Sequence, residues 1–128
     1  MGNRKRMNYL GELRKLVGHR PLLMVGATVL VLDQDQRLLL LKRSDNQYWG
    51  PPSGAVELGE LIEETARRET FEETGLKINA ITLFNVFSGK EQYYCYPNGD
   101  EVHIVAIVYL CKSFGGEIRL SEEHTEWG

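Results

Sequence analysis

The chain has few of the features that mark whole classes of protein. Two cysteines in 128 residues are too few for a small fold stapled by disulfides. No apolar run approaches the roughly 18 residues of a membrane span. The most apolar stretch, Leu22 to Leu32, is short and is interrupted by Gly26, Ala27 and Thr28. The basic start Met1-Gly2-Asn3-Arg4-Lys5-Arg6 lacks the apolar core and small-residue cleavage site of a secretory leader. Arg6 also stands where a myristoylation signal needs Ser or Thr. These absences point to a cytoplasmic protein without a membrane partner. The three histidines, His19, His103 and His124, are scattered with no metal-ligand spacing. There is no excess of positive charge: 15 Lys+Arg against 18 Asp+Glu give a net charge of −3, with a pI near 5.6. A basic coat for a nucleic-acid polymer is therefore not expected. An acidic protein that binds an anion needs local cations to do so.

What is present suits one domain over 1–128. Hydrophobic residues at 42% are enough to form a core. Tyr9, Leu10, Leu13, Leu16 and Val17 follow helical spacing, and Gly18 is a stop, so 1–20 reads as a segment with a short amphipathic helix. Leu23 to Leu32 and Arg37 to Lys42 read as a hairpin around Asp33-Gln34-Asp35-Gln36. Leu38 to Leu41 does not alternate, which predicts burial on both faces. Asn46 to Gly54 holds two prolines and two glycines and reads as a shaped loop. The spacing predicts a helix over Glu57 to Glu73, stopped by Gly75.

Strand patterns return at Ile81 to Ser88, Gln92 to Tyr96, Glu101 to Cys111 and Glu117 to Leu120. Asn98-Gly99 predicts a two-residue type I′ turn. That register sets Cys95 opposite Val102, with Cys111 nine positions farther along, out of bridging range. Both cysteines read as buried apolar fillers. The whole is a mixed α/β pattern with strands flanking a central helix.

The chemistry concentrates at Glu69, Glu72 and Glu73. On a helix these positions share a face, so three carboxylates crowd one patch. Like charges at this spacing repel unless a cation sits among them, and all-oxygen ligation suits Mg²⁺ or Mn²⁺. Taken alone, three such residues are more often a solvated acidic face. Their surroundings favour the metal. Five residues separate Gly54 from Glu60, seven more lead to Arg68-Glu69, and Glu72-Glu73, Gly75 and Leu76 follow.

This spacing resembles the box of the Nudix hydrolase family (MutT-like proteins) from Gly54 to Leu76. Trp49 and Pro52 resemble the family's approach to it. The resemblance implies an α/β/α sandwich with a mixed sheet. It also implies a Mg²⁺- or Mn²⁺-dependent pyrophosphohydrolase, in which water attacks phosphorus in a nucleoside diphosphate linked to another group. The linked group is open: ADP-ribose-like, dinucleoside polyphosphate or nucleoside triphosphate. Glu69, Glu72 and Glu73 would hold the metal and carry the catalysis. Arg68 would orient a box glutamate, and Glu60 would be its partner or an outer ligand. The Ser53 carbonyl takes the place of a glycine carbonyl that ligates metal in relatives. Thr70 occupies an aliphatic position of the box, so its hydroxyl needs a partner, such as a carbonyl one turn back. The rival reading is a non-catalytic module that binds and senses a nucleotide; it is disfavoured because all three glutamates are present.

Outside the box, Arg37, Lys42 and Arg43 are basic residues able to meet substrate phosphates, against the alternative of a solvated strand edge. Tyr94, in the cluster Tyr93, Tyr94 and Tyr96, is a candidate base-stacking residue, against ordinary cross-strand packing. Glu122, Glu123 and Glu126 lie where the family often places one more acidic residue. Dimers are common in the family, so a homodimer is among the expected partners. Such domains usually continue past Trp127 with a strand and a closing helix, which leads to the expectation that both are missing here.

Overall fold

A computed structural model describes residues 8–121 and 124–128. The N-terminal helix α1 (Tyr9–Val17) follows the predicted spacing, with the Asn8 side chain accepting from the Gly11 N–H as its N-cap. It is tied down at both ends. The Tyr9 N–H donates to Glu57 Oε1 at 2.8 Å. Arg14 Nη2 donates to the Glu101 carbonyl at 2.6 Å, and Asp100 meets His19 Nδ1 at 2.7 Å.

The centre is β1 (Leu22–Val31) lying parallel to β8 (Glu101–Cys111), with Leu22 opposite Val102 and Val31 opposite Cys111. On the other side of β1, the short β4 (Ser53–Ala55) runs antiparallel, with Ala27 opposite Gly54. On the far side of β8 lie β6 (Thr82–Phe87) and β7 (Tyr93–Cys95), both antiparallel. This mixed sheet is the expected α/β architecture. The β2 (Leu41–Arg43), β3 (Trp49–Gly50) and β10 (His124–Trp127) strands form a separate antiparallel sheet, and β5 (Lys77–Ile78) pairs with β9 (Phe114–Gly115).

Helix α2 (Ile62–Thr74) packs on one face of the main sheet, against β1, β4 and β5. Ala66 of the helix joins Ala27, Val29, Val31, Leu41, Leu76, Tyr109 and Cys111 in one buried cluster. The alternating positions of β1 explain the assignment, because Ala27, Val29 and Val31 face this core together.

Several local expectations are corrected. The helix starts at Ile62, not Glu57, because Gly59 at φ +80° and a backbone bond from Glu60 N–H to the Glu57 carbonyl make a turn there. Residues 46–54 contain β3 and the start of β4, with Pro51 and Pro52 as the break between these two short strands. In 38–41 burial alternates: Leu39 and Leu41 are buried and Leu38 is exposed, since this segment covers only one side of the core. The hairpin it was to form with β1 shrinks to a Leu32–Leu38 bridge, and β2 departs to the second sheet.

The Asn98-Gly99 turn has three residues. Tyr96 pairs with Asp100, and Gly99 N–H donates to the Tyr96 carbonyl, with only Gly99 at positive φ. Pro97, with φ preset for the first corner, favours this type I turn closed by a left-handed glycine. The register therefore moves by one, placing Cys95 opposite Glu101. Cys95 is exposed, not buried; Cys111 is buried, and both are free thiols. Residues 117–120 form no strand, whereas His124–Trp127 does, as a strand the sequence reading did not place. No helix among the described residues is long and apolar enough to cross a membrane.

Candidate active site

The site is built where β4 meets the side of α2 that carries Glu69 and Glu73. Gly54 is at the contact. A methyl group there would collide with the Glu69 carboxyl carbon, so only glycine lets the helix carboxylate lie against the strand. At the other end, Gly75 caps α2 in the left-handed region at φ +81° and donates its N–H to the Phe71 carbonyl. A side chain at Gly75 would also meet the Glu117 carbonyl at 2.8 Å. These two glycines fix both ends of the acidic face for different reasons, close approach at one and φ at the other.

Arg68 organises the carboxylates. Its Nε donates to Glu60 Oε2 at 2.7 Å and its Nη2 to Glu60 Oε1 at 2.9 Å, a two-point pairing. Nη2 also donates to the Ala55 carbonyl at 3.2 Å. Nη1 donates to Glu69 Oε2 at 2.7 Å and lies 3.4 Å from Glu72 Oε1. Thr65 Oγ1 adds a hydrogen bond to Glu60 at 2.7 Å. The Arg68 guanidinium, followed by the Thr65 hydroxyl, holds the Glu60 carboxyl far below the usual carboxylate range, at about 2, against some opposing burial. Arg68 is itself pushed upward, first by its bonds to Glu60.

Glu69 moves the other way. Burial raises its carboxyl, opposed by Glu73 within hydrogen-bond reach and by Arg68. Glu73 is buried, and its Oε1 accepts the Ser53 N–H at 3.2 Å. Glu72 is the exposed member of the three. The sequence-predicted residues Ser53, Glu60, Arg68, Glu69, Glu72 and Glu73 are thus brought into one constellation.

As they stand, no three acidic, histidine or cysteine side chains among the described residues are placed to hold a metal ion. Arg68 Nη1 lies between Glu69 and Glu72 instead. The donor set is nonetheless all oxygen and anionic, the chemistry that hard divalent cations select. Thr70 is fully buried and its hydroxyl has no hydrogen-bond partner among the described residues, so the expected bond one turn back is absent.

The other predicted residues lie elsewhere. Arg37 pairs with Asp33 at 2.8 Å and Asp35 at 3.6 Å inside its own turn. It borders a cavity of about 380 Å³ with Leu76, Phe114 and Trp127 rather than the carboxylates. Lys42 meets Glu126 at 3.4 Å, across the β2–β10 pair. Glu122 and Glu123 fall outside the described residues.

Arg43 and Tyr94 do come together, with Tyr96 of the same predicted tyrosine cluster and with Asn46, to which the sequence alone does not point. The Arg43 guanidinium lies 5.9 Å from the Tyr96 ring centre, within cation–π range. Tyr94 meets Tyr96 edge to face at 4.8 Å, and the Asn46 amide donates to the Tyr94 hydroxyl. Asp45 holds Arg43 from its other side at 2.6 Å and 2.8 Å. Tyr93 stands apart, against His103. Asn46 carried no signal beyond its place in a turn-rich loop, and only a long-range pairing brings it to β7.

A family model for the NUDIX domain matches residues 22–127. The chain belongs to the NUDIX family. Among curated relatives, a MutT-like protein of Streptomyces ambofaciens is 36% identical over 82% of this chain and 62% of its own length. The ADP-ribose pyrophosphatase of Methanocaldococcus jannaschii is 34% identical over 75% of this chain and 55% of its own. The asymmetrical bis(5'-nucleosyl)-tetraphosphatase of Mus musculus is 40% identical over 67% and 58%. The chain therefore spans a little over half the length of the curated relatives it matches. Among solved structures, a MutT NUDIX hydrolase from Burkholderia pseudomallei superposes with a TM-score of 0.69 at 34% identity, covering 85% of this chain and 81% of that one. NUDIX proteins generally use divalent metals, and two of these relatives are named for action on small nucleotides, ADP-ribose and a bis(5'-nucleosyl) tetraphosphate.

Proposed function

We propose that the chain hydrolyses the pyrophosphate bond of a nucleoside diphosphate linked to another group, with Mg²⁺ or Mn²⁺ as cofactor. The observation that carries this reading is the single constellation of Glu69, Glu72 and Glu73 beside the Ser53 backbone, organised by Arg68. Glu69, Glu72, Glu73 and the Ser53 carbonyl would hold the metal. When bound, it neutralises phosphate charge and acidifies a water.

The residues divide the remaining work. Glu60, with its pKa near 2, stays ionised at neutral pH and is unsuited to carry a proton. It serves to orient Arg68. Among Glu69, Glu72 and Glu73, one carboxylate accepts the proton of the attacking water. Water then bonds to one phosphorus while the bridging oxygen leaves with the other phosphate.

The Arg43, Tyr94, Tyr96 and Asn46 cluster supports a substrate with an aromatic base. ADP-ribose-like compounds, dinucleoside polyphosphates and nucleoside triphosphates all qualify, and the relatives named for ADP-ribose and for a bis(5'-nucleosyl) tetraphosphate support the first two. A nucleotide-sugar or dinucleoside compound is favoured by the aromatic cluster. A Mg²⁺-supplemented panel of these three classes, scored for nucleoside monophosphate or phosphate release, tests the proposal. Release from at least one class is expected; tight binding of a nucleotide without any hydrolysis would leave a sensing module in its place.

A further inference from the structure

Arg68 contacts the acidic face in two unequal halves. Nε and Nη2 grip both oxygens of Glu60 at 2.7 Å and 2.9 Å, and Nη2 reaches the Ala55 carbonyl. This half joins the helix to β4. Nη1 alone serves Glu69 and Glu72, at 2.7 Å and 3.4 Å. It is the edge of the delocalised cation that faces these two carboxylates and relieves their repulsion one helical turn apart. A guanidinium is planar and fixed in shape, so the first half can persist while the second changes partner.

We infer that Arg68 is a built-in stand-in for the divalent ion: through Nη1 it occupies Glu69 and Glu72 until they exchange it for the metal, while Glu60 keeps the guanidinium in place for its return. This inference rests on the metal-dependent reading above and goes beyond it. It assigns Arg68 a competing role in metal affinity in addition to orienting a glutamate. Three features support it. Glu69 and Glu72 are engaged by the same nitrogen. Arg68 Nη1 lies within 3.4 Å of both carboxylates, and no three acidic side chains among the described residues are placed for an ion. The Glu60 grip uses neither Nη1 nor the two exchanged carboxylates.

The stand-in and a simple prop differ in the sign of two substitutions. Arg68→Gln removes the competitor, so Mn²⁺ measured by calorimetry should bind about fivefold more tightly, the scale of one partly exposed ion pair. The melting temperature without metal should fall, and the gain on adding Mn²⁺ should exceed that of the unaltered protein. Glu60→Gln should act oppositely. With its fixed half loosened, the guanidinium is left to Glu69 and Glu72, and Mn²⁺ should bind more weakly.

If both substitutions weaken Mn²⁺ binding, Arg68 is only a prop and the inference is overturned. If Arg68→Gln folds only when Mn²⁺ is present, that supports it, since the ion then supplies what the guanidinium did. Absence of any Mn²⁺ effect on the unaltered protein would sink the metal reading itself, and this inference with it. Hydrolysis failing while the two substitutions still move Mn²⁺ affinity in opposite directions would overturn only the proposed activity.

Discussion

The box segment and the β7–β8 hairpin obey different kinds of constraint. From Gly54 to Leu76 the decisive contacts join residues within one short stretch: Arg68 with Glu60, Glu69 and Glu72, Thr65 with Glu60, and Gly54 against Glu69. Local spacing on a helix writes such contacts directly into sequence. Around the hairpin, the contacts that matter come from afar. Asn46 and Arg43 meet Tyr94 and Tyr96, while Arg14 and His19 meet Asp100 and Glu101. A region of the first kind tolerates little change at its own positions. One of the second kind is held by several distant supports and should yield more gradually.

The sharpest way to break the contrast is Gly54→Ala. The added methyl has no room beside the Glu69 carboxyl, so either the strand or the carboxylate must shift. Hydrolysis should fall by up to about a hundredfold, as expected when a supporting contact to a metal-site carboxylate is lost. Stability should drop only slightly, because the atoms the methyl meets all belong to the Glu69 side chain, which can turn away. Steady-state rates and urea melts measure both, and an unaltered rate would mean that Glu69 need not lie against β4.

Glu73→Gln comes next. It should remove most of the activity while leaving the circular dichroism spectrum unchanged, with a slight gain in stability from reduced carboxylate repulsion. Full activity in this variant would refute the metal assignment of Glu73.

A smaller effect concerns acid. The folded-state pKa of Glu60 is depressed to about 2 from an ordinary 4.5. Its contribution is therefore present above the unfolded value and lost as pH falls from about 4.5 toward 2. With the side chains partly open to solvent, it is of order 1 kcal/mol. Stability measured against pH should show this acid limb in the unaltered protein and a weaker one in Glu60→Gln. The smallest change is Gly99→Ala in the hairpin. Forcing alanine to φ +96° should cost about 1 kcal/mol without moving the hydrolysis rate.

The same contrast governs how much the sequence disclosed. Helix α1, the strand Glu101 to Cys111 and the convergence of Ser53, Glu60, Arg68 and the three glutamates were legible, because each depends on short-range period or fixed spacing. The hairpin sits one residue away from the register that Asn-Gly predicts. Asn-Gly is a strong two-residue signal, but Pro97 before it suits the first corner of a longer turn, and the pairing with β8 decides between them. The helix start was misplaced because Glu57 to Leu61 is helix-like in composition, while Gly59 adopts a backbone conformation that composition does not announce. The role of Asn46 was invisible, since its partner Tyr94 lies 48 positions away. Arg37 carried the right charge for a phosphate ligand, yet Asp33 and Asp35 beside it in the turn claim its guanidinium.

The parallel ladder between β1 and β8 has one further consequence, for the order in which the chain can assemble. Every residue of β1 finds its β8 partner 80 positions later, from Leu22 with Val102 to Val31 with Cys111. The loop-closure entropy for such pairing must be met before any ladder bond stabilises it. Until residues 102–111 arrive, β1 has among the described residues only the short β4 and the adjoining Leu32–Leu38 bridge as pairing partners. The box helix, whose contacts are local, can form in that interval and offer Ala66 as a surface on which β1 waits. Refolding should therefore show helical signal ahead of the burial of Tyr109, which sits in the core from β8.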